Sequence, residues 1–202
     1  MKLYYSPGAC SLSPHIVLRE AGLDFELVKT DLRAHKLEDG SDFRAINPRG
    51  YVPVLELNNG ERLTEGPAIV QYIADQAPAA QLAPAPGTLA RYRQQEWLAY
   101  INSELHKTFG PLWKPTTPDA YKDIIREQLA ARFDWLSTQL EGKQYLTGNT
   151  FTAADAYLFT ILSWTRPLQI DMGRWKVLTD YMARVAQRPK VQEALRAEGL
   201  LS

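Results

Sequence analysis

The pattern of apolar positions changes character near residue 80. Before it, short β-prone runs alternate with helical spacing; after it, helical spacing alone recurs. Lys2–Tyr5 is a short run rich in β-prone aromatics, stopped by the breakers Ser6, Pro7 and Gly8. From Leu12 the apolar residues fall at Leu12, Ile16, Val17 and Ala21, the period of a helix. Pro14 is tolerated only in that helix's first turn. Gly22 and Asp24 break it, and Phe25–Lys29 alternates as a second strand. Strand, helix, strand predicts a right-handed crossover between parallel strands. Residues 31–50 are polar and mixed, and read as a loop with a short helix around 41–46. Val54–Leu57 and Arg62–Thr64 read as an antiparallel pair joined by a two-residue Asn59-Gly60 turn. Val52-Pro53 stands just before this pair, where a proline is accommodated at a strand's first residue. Thr64-Glu65-Gly66-Pro67 announces a helix with Pro67 at its first position and Ala68, Ile69, Tyr72 and Ile73 as its stripe.

Residues 77–87, APAAQLAPAPG, carry three prolines and five alanines and no period. They read as a linker. The expected division is an α/β domain over 1–78 with a mixed four-stranded sheet, a linker over 79–87, and an all-α domain over 88–202. Thr88 caps a long helix to about Phe109, with Leu98, Ile101, Leu105 and Phe109 in its stripe. Thr117 and Pro118 start another that runs to about Leu140. Phe151-Thr152-Ala153-Ala154-Asp155 has the form of a capping box with a hydrophobic staple. The run Ala156–Trp164 is apolar nearly all round, as at the centre of a helical domain. Trp175–Gln187 and Lys190–Glu198 complete the helices.

Composition narrows the function classes. The 202 residues carry a formal net charge of zero, so no general affinity for nucleic acid or membrane surfaces is expected. One cysteine rules out an internal disulfide framework and suits a reducing compartment. The N-terminus shows no apolar stretch of a secretory signal, and no run approaches about eighteen apolar residues. A cytoplasmic location is expected. The three histidines, His15, His35 and His106, are scattered and give no zinc spacing, so no metal is expected. No Cys-x-x-Cys occurs, which excludes a dithiol oxidoreductase and leaves a monothiol with an external thiol.

Three places remain for chemistry. Cys10 lies where a strand and turn open into a helix, so amide N–H groups and the positive helix end are expected to ease its ionisation. A lone cysteine equally suits a small buried apolar position. Glu65, beside Gly66 at a helix start, is placed to meet the amino end of an α-amino acid group while helix N–H groups meet its carboxylate. An acidic helix start is also favourable by itself. On the long helix, Ala99, Asn102, Ser103 and His106 share a small polar face that either lines a cleft or is simply solvated.

Together these places, over essentially the whole length, resemble the glutathione S-transferase superfamily, and specifically its bacterial beta class. The matching pieces are Tyr4-Tyr5-Ser6-Pro7-Gly8-Ala9-Cys10-Ser11, Asn47-Pro48-Arg49-Gly50-Tyr51-Val52-Pro53, Leu63-Thr64-Glu65-Gly66, Glu104-Leu105-His106-Lys107 and Phe151–Asp155. The capping motif marks the broad superfamily, and Cys10 with Glu-Leu-His-Lys at 104–107 marks the beta class.

The resemblance implies a thioredoxin-like N-terminal domain, an α-helical C-terminal domain, and a homodimer with glutathione near the dimer cleft. It implies a cis Val52–Pro53 bond, with the Val52 backbone pairing with the cysteinyl part of glutathione. Glu65 and Gly66 would hold the γ-glutamyl end, with Tyr5, Ser11, Pro53, Ser103 and Lys107 as further contacts. His35 stands where the family usually has a lysine for the glycyl carboxylate, and Ala99 where it often has asparagine. Cys10 and His106 would flank the glutathione sulfur and favour its thiolate. Tyr5, Phe109, Trp113 and Trp164 are candidates for the wall of the co-substrate site, and ordinary aromatic packing is their other reading.

The implied activity is conjugation of reduced glutathione to soft hydrophobic electrophiles, with thiol transfer through Cys10 as a companion. Glutaredoxin-like thiol transfer, reductive dehalogenation or isomerisation on the same site are the enzymatic alternatives. A non-enzymatic interaction or ligand-sequestering module is the other.

Overall fold

The computed structural model describes residues 1–201. Their contacts define two compact units: Met1–Ala83 together with the stretch from Gln187 onward, and Pro84–Ala186.

The first unit is built on a mixed sheet. Its elements are β1 (Lys2–Tyr5), α1 (Leu12–Ala21), β2 (Glu26–Asp31), β3 (Lys36–Leu37), β4 (Val54–Glu56), β5 (Arg62–Thr64) and α2 (Gly66–Gln76). The strand order is β3-β2-β1-β4-β5. β1 and β2 run parallel, with Leu3 opposite Leu27, as a helical crossover requires. The other pairings are antiparallel. The sheet has five strands rather than the expected four, because β3 pairs with the end of β2 through Leu37 opposite Thr30. Two residues are too few to show a period. The helix expected around 41–46 is a 3-10 turn, Phe43–Ala45, capped by the Asp42 carboxylate on the Arg44 N–H at 2.9 Å.

The β4–β5 connection also differs. Leu57 donates to the Glu61 carbonyl at 2.8 Å, so three residues rather than two make the loop. Gly60, at φ +86°, takes the left-handed position that a three-residue hairpin needs.

Tyr4, Phe43, Val52 and Val54 form a core against one side of the sheet. Every residue of α1 from Leu12 to Leu18 is buried, more than a single stripe. The reason is that α2 and α8 (Pro189–Ala197) both pack on α1. In α2 the buried residues are Ile69, Val70, Ile73 and Ala74, so the stripe is shifted from the expected one. Arg188 makes a bidentate pair with Glu20, at 2.7 and 2.8 Å. The last helix, placed with the helical domain by sequence order, thus packs with the N-terminal unit. Its amphipathic pattern shows that it needs a partner but not which one.

The second unit is helical: α3 (Leu89–Tyr100), α4 (Lys107–Phe109), α5 (Asp119–Leu140), α6 (Ala153–Ser163) and α7 (Lys176–Ala186). Thr88 caps α3 by accepting from the Arg91 N–H at 3.2 Å. The expected continuous helix to Phe109 is interrupted by a π-helical turn over Ile101–His106. A hydroxyl within the turn and one just after it bond back to carbonyls four residues earlier. Ser103 donates to the Ala99 oxygen at 3.0 Å and Thr108 to the Glu104 oxygen at 2.6 Å. α5 starts at Asp119, with Pro118 rather than Thr117 at its cap.

α6 is buried from Ala153 to Leu162. The capping box at its start is present, with Asp155 accepting from the Thr152 N–H at 2.8 Å and from its hydroxyl at 2.9 Å. Two further donors converge on the same carboxylate: the Leu146 N–H at 2.9 Å and the Tyr181 hydroxyl at 3.0 Å. Burial raises the Asp155 carboxyl above its ordinary value, while these hydrogen bonds pull it down.

Replacing Asp155 by Ala strands these donors in a dry core. At about 1–3 kcal/mol for a buried group left unpaired, a loss of about 3–5 kcal/mol is expected. Chemical denaturation should show it, with Asp155→Asn, which keeps one acceptor, losing less.

Candidate functional site

In the first unit the turn after β1 carries Cys10 into the start of α1. Successive reverse turns wind it tightly: Ala9 donates to the Ser6 carbonyl at 3.0 Å, Leu12 to Ala9 at 3.0 Å and Ser13 to Cys10 at 3.2 Å. The Ser11 hydroxyl accepts from the Ser6 N–H at 3.1 Å and donates to the Ser6 carbonyl at 3.2 Å. Ser11 is fully buried, so its side chain closes this turn. The Cys10 thiol donates to the Val52 carbonyl at 3.3 Å. Val52 leads into the cis Val52–Pro53 bond.

The surroundings of Cys10, a half-buried residue, work against the easy ionisation expected of a thiol near a helix start. Burial pushes its thiol up to about 12; the backbone N–H groups of Cys10 and Ser11 pull the other way, and the Glu65 charge adds to the rise. These surroundings favour the thiol, which donates to Val52.

Glu65 caps α2 with φ +67°, a backbone conformation that side chains other than glycine rarely adopt. Such strain costs on the order of 1–3 kcal/mol and concentrates at functional sites. The neighbouring Arg49 guanidinium fixes this corner, reaching Glu65 Oε1 at 2.9 Å and the Thr64 hydroxyl at 2.8 Å. At Gly66 an added Cβ would meet nothing within 4 Å, so the backbone at the positive end of α2 is approachable. His35, half-buried at φ +54°, lies against Gly50, where an added Cβ would come within 2.7 Å of its Nδ1. Tyr5 is nearly buried, its ring 6.2 Å from that of His15. Cys10, Val52, Pro53, Glu65, Gly66 and His35 are thus all carried by the turns and helix starts of the first unit.

His15, given no role from the sequence, is buried beneath the Cys10 turn. Arg19 Nε donates to His15 Nε2 at 2.8 Å, so Nδ1 carries the ring proton and donates to Glu198 at 2.8 Å. Glu198 also accepts from the Gly8 N–H at 2.9 Å.

In the second unit His106, Phe109, Trp113 and Trp164 come together. Trp164 meets the rings of His106, Phe109 and Trp113 edge to face, at centroid distances of 4.9, 5.7 and 5.8 Å. Phe109 is wholly buried and Trp164 nearly so, and they serve as core; Trp113 is 46% exposed and is the surface member of the cluster. Ser103 and Lys107 are exposed, and the Ser103 hydroxyl turns back onto its own helix. His106 Nδ1 lies 2.7 Å from the Tyr157 hydroxyl, which donates to Asn102 Oδ1 at 3.0 Å. Tyr157 was legible only as part of the apolar run, and its hydroxyl partners and Arg49's hold on Glu65 had no sequence signal beyond residue type. Among the described residues no group of three His, Cys, Asp or Glu side chains gathers as a metal site would. No described helix is long and apolar enough to cross a membrane.

A thiol-bearing turn beside a cis-proline loop on a mixed sheet, with a separate helical unit, defines a thioredoxin-like domain joined to an all-helical one. Residues 8–76 match the family model for the glutathione S-transferase N-terminal domain, and residues 87–189 that for the C-terminal domain. The chain belongs to the glutathione S-transferase family. It is 48% identical to glutathione S-transferase GstA of Escherichia coli O157:H7 over 200 residues, covering 99% of this chain and 100% of that protein. A bacterial beta-class glutathione S-transferase from Sphingomonas chungbukensis superposes with a TM-score of 0.96 at 49% identity, covering 100% of both chains. A sphingomonad glutathione S-transferase complexed with glutathione gives a TM-score of 0.96 at 50% identity, covering 99% of this chain and 100% of that one.

The raised thiol has a direct readout. Alkylation of Cys10 by iodoacetamide should stay slow through pH 9, where an unperturbed cysteine is already largely thiolate, and accelerate only above it. Mass spectrometry of the intact protein across pH measures this; rapid labelling at pH 7 would contradict it.

Proposed function

We propose that this chain conjugates reduced glutathione to soft hydrophobic electrophiles, and that the nucleophile is glutathione's own sulfur. The observation that carries this is the place of the Cys10 thiol: its one proton goes to the Val52 carbonyl at 3.3 Å, and a thiolate beside it would take that proton in exchange, which suits Cys10 to hydrogen-bond a sulfur rather than to attack. Glu65 and the open backbone at Gly66 receive the γ-glutamyl amine and carboxylate. Val52 and Pro53 lie along the cysteinyl part, and His35 replaces a lysine at the glycyl end. Ser103 and Lys107 are further contacts. His106 takes the glutathione proton. The thiolate then forms a carbon–sulfur bond, and the leaving group departs from that carbon with its electron pair. Trp113 offers the apolar surface for the electrophile.

The protein works as a homodimer in this reading. Leu89 and Tyr92, on α3, are 72% and 59% exposed and stand one turn apart, and this reading assigns them to the partner. Sedimentation of the purified protein tests this, and a monomer at micromolar concentration would refute it. A cytoplasmic location accords with the single reduced cysteine.

The deciding experiment compares wild type with Cys10→Ala. Glutathione consumption against a generic aryl halide should persist in the variant within about tenfold, since a hydrogen-bond donor rather than the nucleophile is lost. Intact mass after incubation with oxidised glutathione should show little adduct on the wild type. A stoichiometric adduct with conjugation abolished in the variant would instead make this a Cys10-centred thiol transferase. Glu65→Gln should raise KM for glutathione about tenfold or more, the cost of one charged hydrogen bond, with kcat less affected.

A further inference from the structure

We propose that Tyr157 and Asn102 are positioning residues that fix the tautomer of His106, with the ring proton on Nδ1 and Nε2 as its acceptor. The inference deepens the proposed function, because it rests on His106 as the group that takes the glutathione proton.

The argument is one of proton counting. A tyrosine hydroxyl has a single proton, and the Asn102 Oδ1 only accepts. With 3.0 Å between them, the proton of Tyr157 points to Asn102. The hydroxyl oxygen then faces His106 Nδ1 at 2.7 Å with a lone pair. A neutral imidazole has one N–H, so Nδ1 must hold it and Nε2 must be the base. A histidine in water exchanges between both tautomers; this one has its choice made by the neighbouring pair.

Packing holds the ring for that choice. Tyr157 is 1% exposed on the buried helix α6, and its ring meets His106 at 81° with centroids 5.9 Å apart. Trp164, from the same stretch of chain, meets His106 at 74° and 4.9 Å. Asn102 and His106 lie on the π-helical turn, whose i to i+5 bond runs from the Lys107 N–H to the Asn102 carbonyl. Turns of this kind are concentrated at functional sites. Here the turn presents an acceptor and a histidine to one hydroxyl.

The test uses the full chain labelled with 15N-histidine, at a pH where the ring is neutral. His106 signals are assigned by their loss in His106→Gln. Wild type should show Nδ1 protonated. Asn102→Leu removes the acceptor, so the Tyr157 proton turns to Nδ1 and the ring proton moves to Nε2. Asn102 is only half-buried, so the fold should tolerate this change. Tyr157→Phe, which keeps the ring packing, should release the ring to both tautomers. In Asn102→Leu, kcat for conjugation to an aryl halide should fall about tenfold or more, with KM for glutathione within about twofold. Nε2 protonated in the wild type, or Nδ1 still protonated in Asn102→Leu, would overturn the inference. A tautomer that switches with kcat unchanged would uphold it and remove His106 from the role of proton acceptor.

Discussion

A carboxylate from the far end of the chain closes the turn on which Cys10 sits. The Glu198 side chain has no exposed surface. An ionised group in that place is tolerated only if its oxygens are met by donors, and both are: by the Gly8 N–H at 2.9 Å and by His15 at 2.8 Å. Behind His15, Arg19 supplies a hydrogen bond and the positive charge. Gly8 at φ +71° bends the chain, and Leu200 lies where a Cβ at Gly8 would come within 3.5 Å of it. The turn, the first helix and the C-terminal helix are therefore one packing unit. Loosening any of them moves the thiol and its contact with Val52.

That dependence explains what the sequence could and could not disclose. Period and punctuation revealed β1, α1, the β4–β5 pair and the capping box, because each is written within a few neighbouring residues. Asp155 was legible as a cap for this reason. Its bonds to Leu146 and Tyr181 were not, since they join segments that only the packed fold brings together. Glu198 and Gly8 are 190 residues apart, and nothing near either one names the other. The candidate site was legible through residue types at family positions: Cys10, Glu65 and His106. The hydrogen bonds that set their states were not. The π turn escaped because its apolar stripe, Leu98, Ile101, Leu105 and Phe109, is also that of a regular helix.

Cys10 shows why position along a helix is a poor guide to ionisation. The positive end of a helix contributes roughly 0.3–1 kcal/mol at an exposed site. Raising a thiol from 9.0 to about 12 corresponds to about 4 kcal/mol in the opposite direction. Desolvation outweighs the helix end, even though Cys10 itself, two residues before α1, is only half-buried. The same desolvation suits the residue to a donor's role. A thiol that keeps its proton at neutral pH can be shared with a thiolate without competing with it for the electrophile. The two sulfurs then divide the work between hydrogen bonding and attack.

In the second unit, the residue that orders folding and the residue that orders the histidine stand two positions apart on α6. Asp155 fixes the helix start against the loop at Leu146 and against α7 through Tyr181. Tyr157 follows in the next part of the same turn and projects its hydroxyl to Asn102 and His106. A helix buried all round has little freedom to rotate, because every rotation trades packed surface for voids. The height and angle of the Tyr157 hydroxyl therefore follow from the packing of α6 and from the cap that fixes its start. A device that reads as folding equipment in the sequence thereby also places the group that orients a proton acceptor. Weakening the cap should disturb the histidine's hydrogen bond before it unfolds the unit, since a shift of a few tenths of an ångström matters at 2.7 Å and is negligible to a hydrophobic core.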